Sequence, residues 1–459
     1  MTTAHTKVPG PAGAPLLGSL LDLLRDPLGT YERARRDHGD LVRFTVGPPG
    51  LRAEVHAVFS PEGAQQVLAA EAAGFRKDNA FYEEVRQSLG NGLLTSQDAD
   101  YQRQRRLLQP LFTPRHVDGY ATAVTTEATA LSAAWHAAPD GTVDVLEEMH
   151  GLTLRTIARV LFGGAVEQAV EAVGRCMPVV DEHVRRRGFA PVRTPRHWPT
   201  PGNRRAAAAT AELYAVCDEI IERRRAEGGD GQDLLSLLAS ARDDEDGRPL
   251  DPAEIRDQVL IFLLAGHETT ATSLAFALHL LARHPEAQSL AREEIDRVLG
   301  GRVPGAADLD ALPHLTAVLK EAMRLYPAAP VIGRRSVAAT RIGGHLVPAG
   351  ADVIVVPWVI HRHPGHWTEP GRFDPGRFTP QAEAARHRYA WLPFGGGPRA
   401  CIGRHLSLLE SVLALAVLLR GHELTAVDQD VPLGAGITLQ ARGPARCRLT
   451  PRAPARPAG

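Results

Sequence analysis

The chain has 459 residues, of which 44% are hydrophobic and 23% are charged, and its formal net charge is -1. This composition excludes an intrinsically disordered chain and gives no sign of a globally charged partner such as nucleic acid. The length exceeds that of an ordinary single core, although a large helical enzyme can form one unit with a small sheet region. We therefore look for function in local motifs.

The N-terminal region is rich in proline and glycine up to Gly18. Its apolar run at residues 16–24 is interrupted by Asp22 and is far shorter than the roughly 20 residues of a membrane span. We expect a soluble, cytoplasmic protein with no membrane span. The scattered cysteines disfavour a zinc site and a disulfide scaffold; they are Cys176, Cys217, Cys401 and Cys447.

The predicted elements are mostly helices. Residues 27–38 predict a short helix, and residues 41–59 alternate like a small β-hairpin. Helical periodicity covers residues 119–161, 204–226 and 251–283, and a second strand-like zone covers residues 341–357. We predict a mainly α fold with small β-sheets. It would form a single domain over residues 1–459, with a β-rich region at about 41–59 and a helical core at about 95–420.

The best-defined helix begins after Asp251, which can cap it. Pro252 fits the first helical position and Glu254 completes a capping box. The helix is almost wholly apolar between residues 259 and 281, so we expect it to cross the centre of the molecule. Its middle, residues 265–270, instead carries a glycine, a carboxylate and two hydroxyls, which weaken a buried helix and require compensation.

Residues 394–403 read Phe-Gly-Gly-Gly-Pro-Arg-Ala-Cys-Ile-Gly and precede an apolar helical run. Glycines let the backbone approach a flat cofactor, and the positive end of a following helix favours the thiolate form of a cysteine. For an isolated cysteine, a buried position in a glycine-rich turn would be the simpler interpretation. The spacing of Phe394, Arg399, Cys401 and Gly403, however, closely resembles the haem loop of the cytochrome P450 family.

Two further motifs extend the resemblance over nearly the whole chain. Glu321 and Arg324 match the Glu-x-x-Arg motif of the family, and residues 373–378 resemble the later segment whose arginine is here Arg377. By itself, such a charge pair one helical turn apart is usually a solvated helix face. The resemblance implies the cytochrome P450 fold, in which these three residues form a buried structural clamp.

The resemblance also implies haem b as the cofactor. Cys401 would be the iron ligand, and a thiolate in that position promotes cleavage of the O–O bond. Propionate partners would include Arg334 or its neighbour Arg335. Tyr101 stands where the family has tryptophan, so its propionate contact is less secure than that of Arg105. The residues expected at the haem are Tyr101, Arg105, Ala265, Arg334, Phe394, Gly395, Arg399, Cys401 and Gly403.

Residues 265–270 resemble the oxygen-activation segment of the family, with Glu268 as the acid and Thr269 as the alcohol. The hydroxyl would orient a proton-donating water, and the acid would relay protons. The alternative is that the hydroxyl only bonds the carbonyl four residues back. A zinc-protease interpretation of His267 and Glu268 fails because it requires histidine at Ala271.

Positions relative to these motifs indicate a mainly apolar pocket for a lipophilic small molecule. Its expected residues are Phe81, Tyr82, Val85, Leu89, Phe262, Leu263, Ala265, Ala329, Val331, Ile332 and Ile437.

The chain also resembles cytochromes of actinobacterial secondary metabolism, including terpene oxidases. We predict a monooxygenase that inserts one oxygen atom of O₂, in a hydroxylation such as terpenoid or polyketide oxidation. Two alternatives stay open: a peroxide-dependent haem oxidase and a non-catalytic haem sensor.

Electrons are expected from a ferredoxin and its reductase, because the haem fold leaves no room for a flavin or iron–sulfur module. A basic patch would attract an acidic ferredoxin; its expected members are Arg103, Arg106, Arg115, His116 and Arg404.

Two other clusters are interpreted as structural. The histidines at 361, 363 and 366 are expected in a packed loop rather than a metal site. The basic run of residues 185–187, 193, 196 and 197 is expected to be a solvated loop rather than an anion site.

Overall fold

The computed structural model describes residues 7–48, 50, 52–137, 141–163, 167–188, 190, 193–227, 231, 233–436 and 438–452. Within these ranges the molecule is mainly helical with small sheets, as predicted. Its α-helices are α1 (Leu20–Arg25), α2 (Pro27–His38), α3 (Pro61–Gln65), α4 (Ala80–Leu89), α5 (Asp98–Leu108), α6 (Pro114–Asp118), α7 (Ala121–His136), α8 (Val145–Phe162), α9 (Glu167–Gly188), α10 (Pro201–Glu227), α11 (Leu234–Ser240), α12 (Pro252–Arg283), α13 (Pro285–Leu299), α14 (Pro313–Leu325), α15 (Pro357–Ile360), α16 (Pro380–Ala385) and α17 (Arg404–Gly421).

The strands are β1 (Leu41–Val46), β2 (Ala53–Val58), β3 (Phe75–Arg76), β4 (Thr142–Asp144), β5 (Ile332–Ser336), β6 (Thr340–Ile342), β7 (His345–Val347), β8 (Asp352–Val355), β9 (His422–Ala426), β10 (Leu433–Ala435), β11 (Leu439–Ala441) and β12 (Arg446–Pro451). The largest sheet has the order β1-β2-β8-β5-β3, and a smaller one has the order β4-β12-β9. The predicted hairpin is confirmed, since β1 and β2 pair antiparallel with Leu41 opposite Val58. The second strand-like zone divides among β6, β7 and β8.

The continuous helical pattern predicted over residues 119–161 is wrong in its middle. Helix α7 ends at His136, β4 follows, and α8 begins at Val145. The Asp144 side chain caps α8 by accepting from the Leu146 amide at 3.0 Å. Strand β4 pairs with β12, so Val143 lies opposite Cys447. A local cap and a strand partner distant in sequence therefore override the helical periodicity.

Helix α12 is the central element, and its predicted start is confirmed. The Glu254 amide donates to Asp251 at 2.8 Å, and the Asp251 amide donates to Glu254 at 2.9 Å, which completes the capping box. The helix packs along α8, α10, α14 and α17. Among the described helices, α12 alone has the length and hydropathy of a membrane span, and 72% of that window is buried inside the protein, as in a core helix.

Candidate functional site

A cavity of about 390 Å³ lies between α12, the first turn of α4, strand β5 and the loop before α17. This volume is within the usual range for small-molecule sites. Cys401, Glu268 and Thr269 all line it. Of the expected pocket residues, those that line the cavity are Phe81, Tyr82, Phe262, Ala265, Ala329, Val331 and Ile332.

Three of the expected pocket residues are placed elsewhere. Val85, Leu89 and Leu263 are each 1% exposed and pack in the helical core instead of lining the cavity. Only the first turn of α4 reaches the cavity, and Val85 and Leu89 lie one and two turns further on. Leu263 points away from the cavity although its helix neighbours line it, because adjacent helical side chains point about 100° apart. Ile437 lies outside the described residues.

The loop before α17 presents Cys401 to the cavity. The Cys401 amide donates to the Phe394 carbonyl at 2.9 Å, which closes the loop. Gly395 and Gly397 have φ angles of 67° and 66°, a region that favours glycine. A Cβ atom on Gly397 would lie 1.8 Å from the Leu68 carbonyl oxygen. The glycines of this loop therefore permit both its turn and its close approach to the neighbouring backbone.

The Cys401 thiol has donors and cations around it. Burial has the larger effect and raises the pKa of Cys401, although the Gly403 amide and the charges of Arg105, Lys77 and Arg404 partly offset it. Helix α17 begins at Arg404, so the positive end of its dipole lies next to the sulfur. A coordinated metal ion deprotonates a thiol outright. This environment suits a metal-bound thiolate.

Hydroxyl groups compensate for the weak middle of α12. Thr269 Oγ1 donates to the Ala265 carbonyl at 2.6 Å, and Thr153 on α8 donates to the His267 carbonyl at 3.0 Å. Thr272 and Ser273 donate to the next carbonyls, those of Glu268 and Thr269, at 2.9 and 3.0 Å. The Thr269 hydroxyl proton is thus donated to the carbonyl four residues back in the helix, as the alternative interpretation of this residue predicted. Its oxygen still has a lone pair that can accept a hydrogen bond in the cavity.

Glu268 is partly exposed to the same cavity. Within the described part of the chain, its carboxylate has neither a hydrogen-bond donor nor an ion-pair partner. A carboxylate without such contacts is free to exchange protons with water or with a neighbouring acid. The arrangement therefore combines an available acid, at Glu268, with an available acceptor oxygen, at Thr269.

Four cationic side chains line the cavity: Lys77, Arg105, Arg334 and Arg399. Arg334 is 4% exposed, and its guanidinium donates to the Gly333 carbonyl at 2.8 Å. The Nη1 atom of Arg399 is buried without a partner in the described structure. Burial, followed by repulsion from Arg334 and Arg399, holds the pKa of Lys77 well below its usual range. Among the residues that the structure describes, no carboxylate forms an ion pair with these cations, so they form a site for an anionic group.

The structure shows how the residues expected to bind the propionates are oriented. Arg334 points inward from β5 and Arg335 points outward, because successive strand residues face opposite sides. The Tyr101 hydroxyl donates to the Pro398 carbonyl at 2.6 Å, and its ring lies 3.7 Å beneath the Arg399 guanidinium. Tyr101 thus supports Arg399, while Arg105 donates to the Ala400 carbonyl at 3.1 Å. Lys77 was not anticipated, since no motif surrounds it.

The three expected clamp residues, Glu321 and Arg324 on α14 and Arg377 in the segment before α16, lie together. Arg324 Nε lies 2.7 Å from Glu321 Oε2, and both side chains are fully buried. Arg377 Nε lies 3.4 Å from Glu321 Oε1. Arg324 also donates to the carbonyls of His361, Pro370 and Arg372. The group therefore ties α14 to the long segment that leads to the cysteine loop.

The histidines at 361, 363 and 366 lie in the segment that the clamp residues hold, and two of them have contacts within the protein. The His361 Nε2 atom accepts from the Leu392 amide at 2.9 Å, and Nδ1 lies 3.3 Å from the Arg324 carbonyl. Both ring nitrogens of His361 are thus used by the backbone. His363 Nε2 lies 3.1 Å from Asp40.

The solvated-loop interpretation of the basic run is wrong for three of its arginines, which contact the buried acid Glu84. Arg193 lies 3.6 Å from Glu84 Oε1, and two others lie closer. Arg187, near the end of α9, and Arg196 lie 2.8 and 2.6 Å from Glu84 Oε2. Glu84 is only 2% exposed, so these contacts fasten the segment around α9 to α4. The sequence offered no signal for this acid, because Glu84 is 103 residues from Arg187.

The expected basic patch is also partly wrong. Arg103 lies 2.6 Å from Glu254, and Arg106 lies 3.1 Å from Asp243 and 2.9 Å from Glu245. Both charges are thus neutralised within the protein. Arg404, which was expected in the patch, is exposed at a cleft of about 720 Å³ beside Cys401, together with Arg388, which was not anticipated.

The sequence analysis did not predict one buried acid that lines the cavity. Glu410 on α17 is 3% exposed and lines the cavity, and its Oε1 atom has no partner among the described residues. Burial raises the pKa of Glu410 to about 8, so the group is neutral at pH 7. In the sequence it stands in an apolar helical run and resembles an ordinary surface acid.

Comparisons with known proteins agree with this geometry. Residues 8–438 match the family model described as Cytochrome P450. Cyclooctatin synthase of Streptomyces melanosporofaciens is 40% identical over 90% of this chain and 88% of that protein. Pentalenene oxygenase of Streptomyces avermitilis is 36% identical over 98% of this chain and 99% of that protein. The crystal structure of the cytochrome P450DA heme domain has a TM-score of 0.87, 30% identity and 99% coverage of both chains.

Proposed function

This chain belongs to the cytochrome P450 family and is a haem b-dependent monooxygenase, and we propose that it hydroxylates a terpenoid hydrocarbon in secondary metabolism. The observation that carries the proposal is that one largely apolar cavity is lined by Cys401, Glu268 and Thr269. Ile157, Leu234 and Ile261 add to its apolar surface. Such a lining favours a lipophilic substrate.

The residues present fit haem b. The cofactor carries two propionate carboxylates, and the cavity offers four cations, Arg105, Arg334, Arg399 and Lys77. None of the four forms an ion pair with a carboxylate among the described residues. The unpartnered Nη1 atom of Arg399 is a donor for such an anion. We propose that Cys401 ligates the iron and that these cations bind the propionates. Ala265, Phe394, Gly395 and Gly403 would contact the ring, since they line the same cavity.

When bound, the haem activates O₂, so that with two electrons and two protons one oxygen atom enters a C–H bond and the other leaves as water. The protein must deliver those protons without admitting bulk water. We propose that Glu268 exchanges protons with water in the cavity. Thr269 would orient that water by accepting its hydrogen bond, because its own proton is donated to Ala265.

The substrate class is tested by titrating the purified holoprotein with pentalenene and other apolar compounds, followed by product analysis. We expect displacement of water from the ferric haem and a hydroxylated product that requires O₂ and reductant. Turnover with peroxide alone would favour the peroxide-dependent alternative, and binding without O₂ consumption would favour a sensor.

Cys401→Ala should abolish the thiolate-dependent carbon monoxide band. An unchanged band would contradict the assignment of Cys401.

We propose that electrons arrive from an acidic ferredoxin that docks at the cleft beside Cys401. The exposed cations Arg388 and Arg404 support this site. Arg404→Glu and Arg388→Glu should slow reduction and weaken its salt dependence. Arg205→Glu is the matched control, because Arg205 is exposed on α10 and does not line the cleft. Equal reduction rates in the three variants would contradict the docking site.

A cytoplasmic location is part of the same proposal. Cell fractionation that found the chain in the membrane would contradict it.

A further inference from the structure

Two tyrosine rings of the cavity wall each lie against one of its cations. Lys77 Nζ lies 5.2 Å from the centre of the Tyr82 ring, and the Arg399 guanidinium lies 3.7 Å from the centre of the Tyr101 ring. All four residues line the cavity. A cation within about 6 Å of the centre of an aromatic ring is attracted to its face. Each ring can therefore hold one cation in place.

The position of the Tyr82 ring is fixed by the start of α4. Asn79 caps this helix by accepting from the Tyr82 amide at 3.1 Å, and Tyr82 is buried. A Cβ atom on Gly333 would lie 2.7 Å from Asn79 Nδ2 and 3.5 Å from Tyr82 Cε2. Gly333 thus lets the first turn of α4 pack closely on β5. The ring is seated next to the strand residue that precedes Arg334.

The backbone of Lys77 is fixed as well. Its amide donates to Gln97 Oε1 at 3.4 Å, and Gln97 Nε2 donates to its carbonyl at 2.5 Å. These two bonds tie Lys77 to the residue before α5. They leave its side chain free, and a lysine side chain is a flexible stem that carries a mobile charge.

The Lys77 ammonium group needs an attractive contact to stay at the cavity. Among the described residues, no carboxylate forms an ion pair with it. Burial, followed by the charges of Arg334 and Arg399, lowers the pKa of Lys77. Repulsion from two arginines favours a side chain that turns away from them. The face of the Tyr82 ring offsets this repulsion.

We propose that Tyr82 is a positioning residue of the cofactor site, whose ring holds the Lys77 ammonium toward a haem propionate. The inference rests on the proposed binding of the propionates by the cations of the cavity. The sequence placed Tyr82 in the substrate pocket, together with Phe81. The inference divides this first turn of α4 between the two ligands, with Phe81 left to the substrate and Tyr82 assigned to the cofactor.

The test measures the rate at which the full-length ferric holoprotein transfers its haem to an apoprotein acceptor. Tyr82→Leu should accelerate transfer about fivefold, the effect of losing one cation–π contact. Lys77→Met should accelerate it about tenfold, the effect of losing one charge-assisted hydrogen bond. Tyr82→Phe should transfer haem at nearly the wild-type rate, because it keeps the aromatic face. A Tyr82→Phe protein as fast as Tyr82→Leu would overturn the role of the ring.

A double-mutant cycle shows whether Tyr82 acts through Lys77. The variant with both Tyr82→Leu and Lys77→Met should transfer haem about tenfold faster than the wild type, as Lys77→Met does alone, because the ring then has no ammonium to hold. A merely structural role of Tyr82 would multiply the two effects to about fiftyfold. That result would overturn the inference even if both single variants behaved as expected.

Tyr214→Leu is the matched control. The Arg256 guanidinium lies 4.4 Å from the centre of the Tyr214 ring, and this tyrosine does not line the cavity, so its loss should leave haem transfer unchanged. A wild-type rate in Tyr82→Leu, with Lys77→Met and Arg334→Met both accelerated, would overturn this inference alone. If those two variants also transferred haem at the wild-type rate, the proposed propionate site would fail with it.

Discussion

Arg324 and Glu321 form an ion pair in which both side chains are fully buried and Nε lies 2.7 Å from Oε2. The remaining donors of Arg324 are used by three backbone carbonyls, and the Asp374 amide donates to Glu321 at 2.9 Å. A buried pair of this kind is only weak evidence for stability, but removal of one partner leaves a charge without compensation.

Arg324→Ala should therefore lower the free energy of unfolding by about 3–5 kcal/mol, with loss of haem during purification. Denaturant unfolding and the haem-to-protein absorbance ratio measure the two effects. The control is Arg372→Ala, because the Arg372 side chain is 67% exposed and pairs with Glu369 at the surface. A fully folded, haem-replete Arg324→Ala protein would contradict the clamp.

Arg334 and Arg335 provide a matched pair for the propionate site, since one faces the cavity and the other faces solvent. Arg334→Met should accelerate transfer of haem to an apoprotein acceptor about tenfold, the effect of losing one charge-assisted hydrogen bond. Arg335→Met should leave the rate unchanged. Equal rates in both variants would show that Arg334 does not hold the cofactor.

The contacts of Glu84 with Arg187 and Arg196 fasten the end of α9 and the segment after it to α4, whose first turn lines the cavity. Glu84→Gln should speed substrate dissociation in stopped-flow measurements and lower the unfolding temperature. Burial opposes ionisation, but the two arginines outweigh it and lower the pKa of Glu84. The stabilisation by the Glu84 carboxylate is therefore fully present at a pH above the unfolded-state pKa of Glu84. It is lost as the pH falls through the folded-state pKa of this group. Glu83→Gln, at a 52% exposed side chain, is the control and should change neither quantity.

Thr269→Ala should uncouple O₂ consumption from hydroxylation, because the variant loses the oxygen that orients water in the cavity. We expect about tenfold less product per O₂, the effect of one hydrogen bond, with O₂ consumption maintained. Thr272→Ala is the control, since Thr272 donates to the Glu268 carbonyl and does not line the cavity. Full coupling in Thr269→Ala would contradict its assignment.

Asp181 should make stability depend on pH in the opposite sense to Glu84. Burial, followed by the charge of Glu268, raises the folded-state pKa of Asp181 on α9 to about 8, above the unfolded value near 4. The folded state therefore holds the proton longer, and stability falls as pH rises from about 4 to 8. Asp181→Asn removes this titration, so its unfolding temperature should exceed that of the wild type increasingly between pH 5 and 8. A constant difference across that range would exclude the raised pKa.

The sequence by itself determined the family, the cysteine loop, the capped central helix and the identity of the clamp residues. These features depend on fixed spacing along one loop or helix, where chain geometry leaves few alternatives. Local pattern was also sufficient for the β1–β2 hairpin. It failed for residues 119–161, where pairing of β4 with β12 interrupts a helical pattern.

Only the tertiary structure decided which side chains face the cavity and which charges are paired. Arg103 and Arg106 were expected in a basic docking patch, yet they form ion pairs with acids far away in sequence. Arg196 pairs with Glu84 in the same way. Asp181 and Glu410 carry no motif and become notable only because each has a buried carboxyl oxygen without a hydrogen-bond partner among the described residues. Lys77 also carries no motif and becomes notable only by its place in the cavity wall. The physical reason is that burial and electrostatic pairing depend on contacts between distant segments, which helix and strand periodicity does not encode.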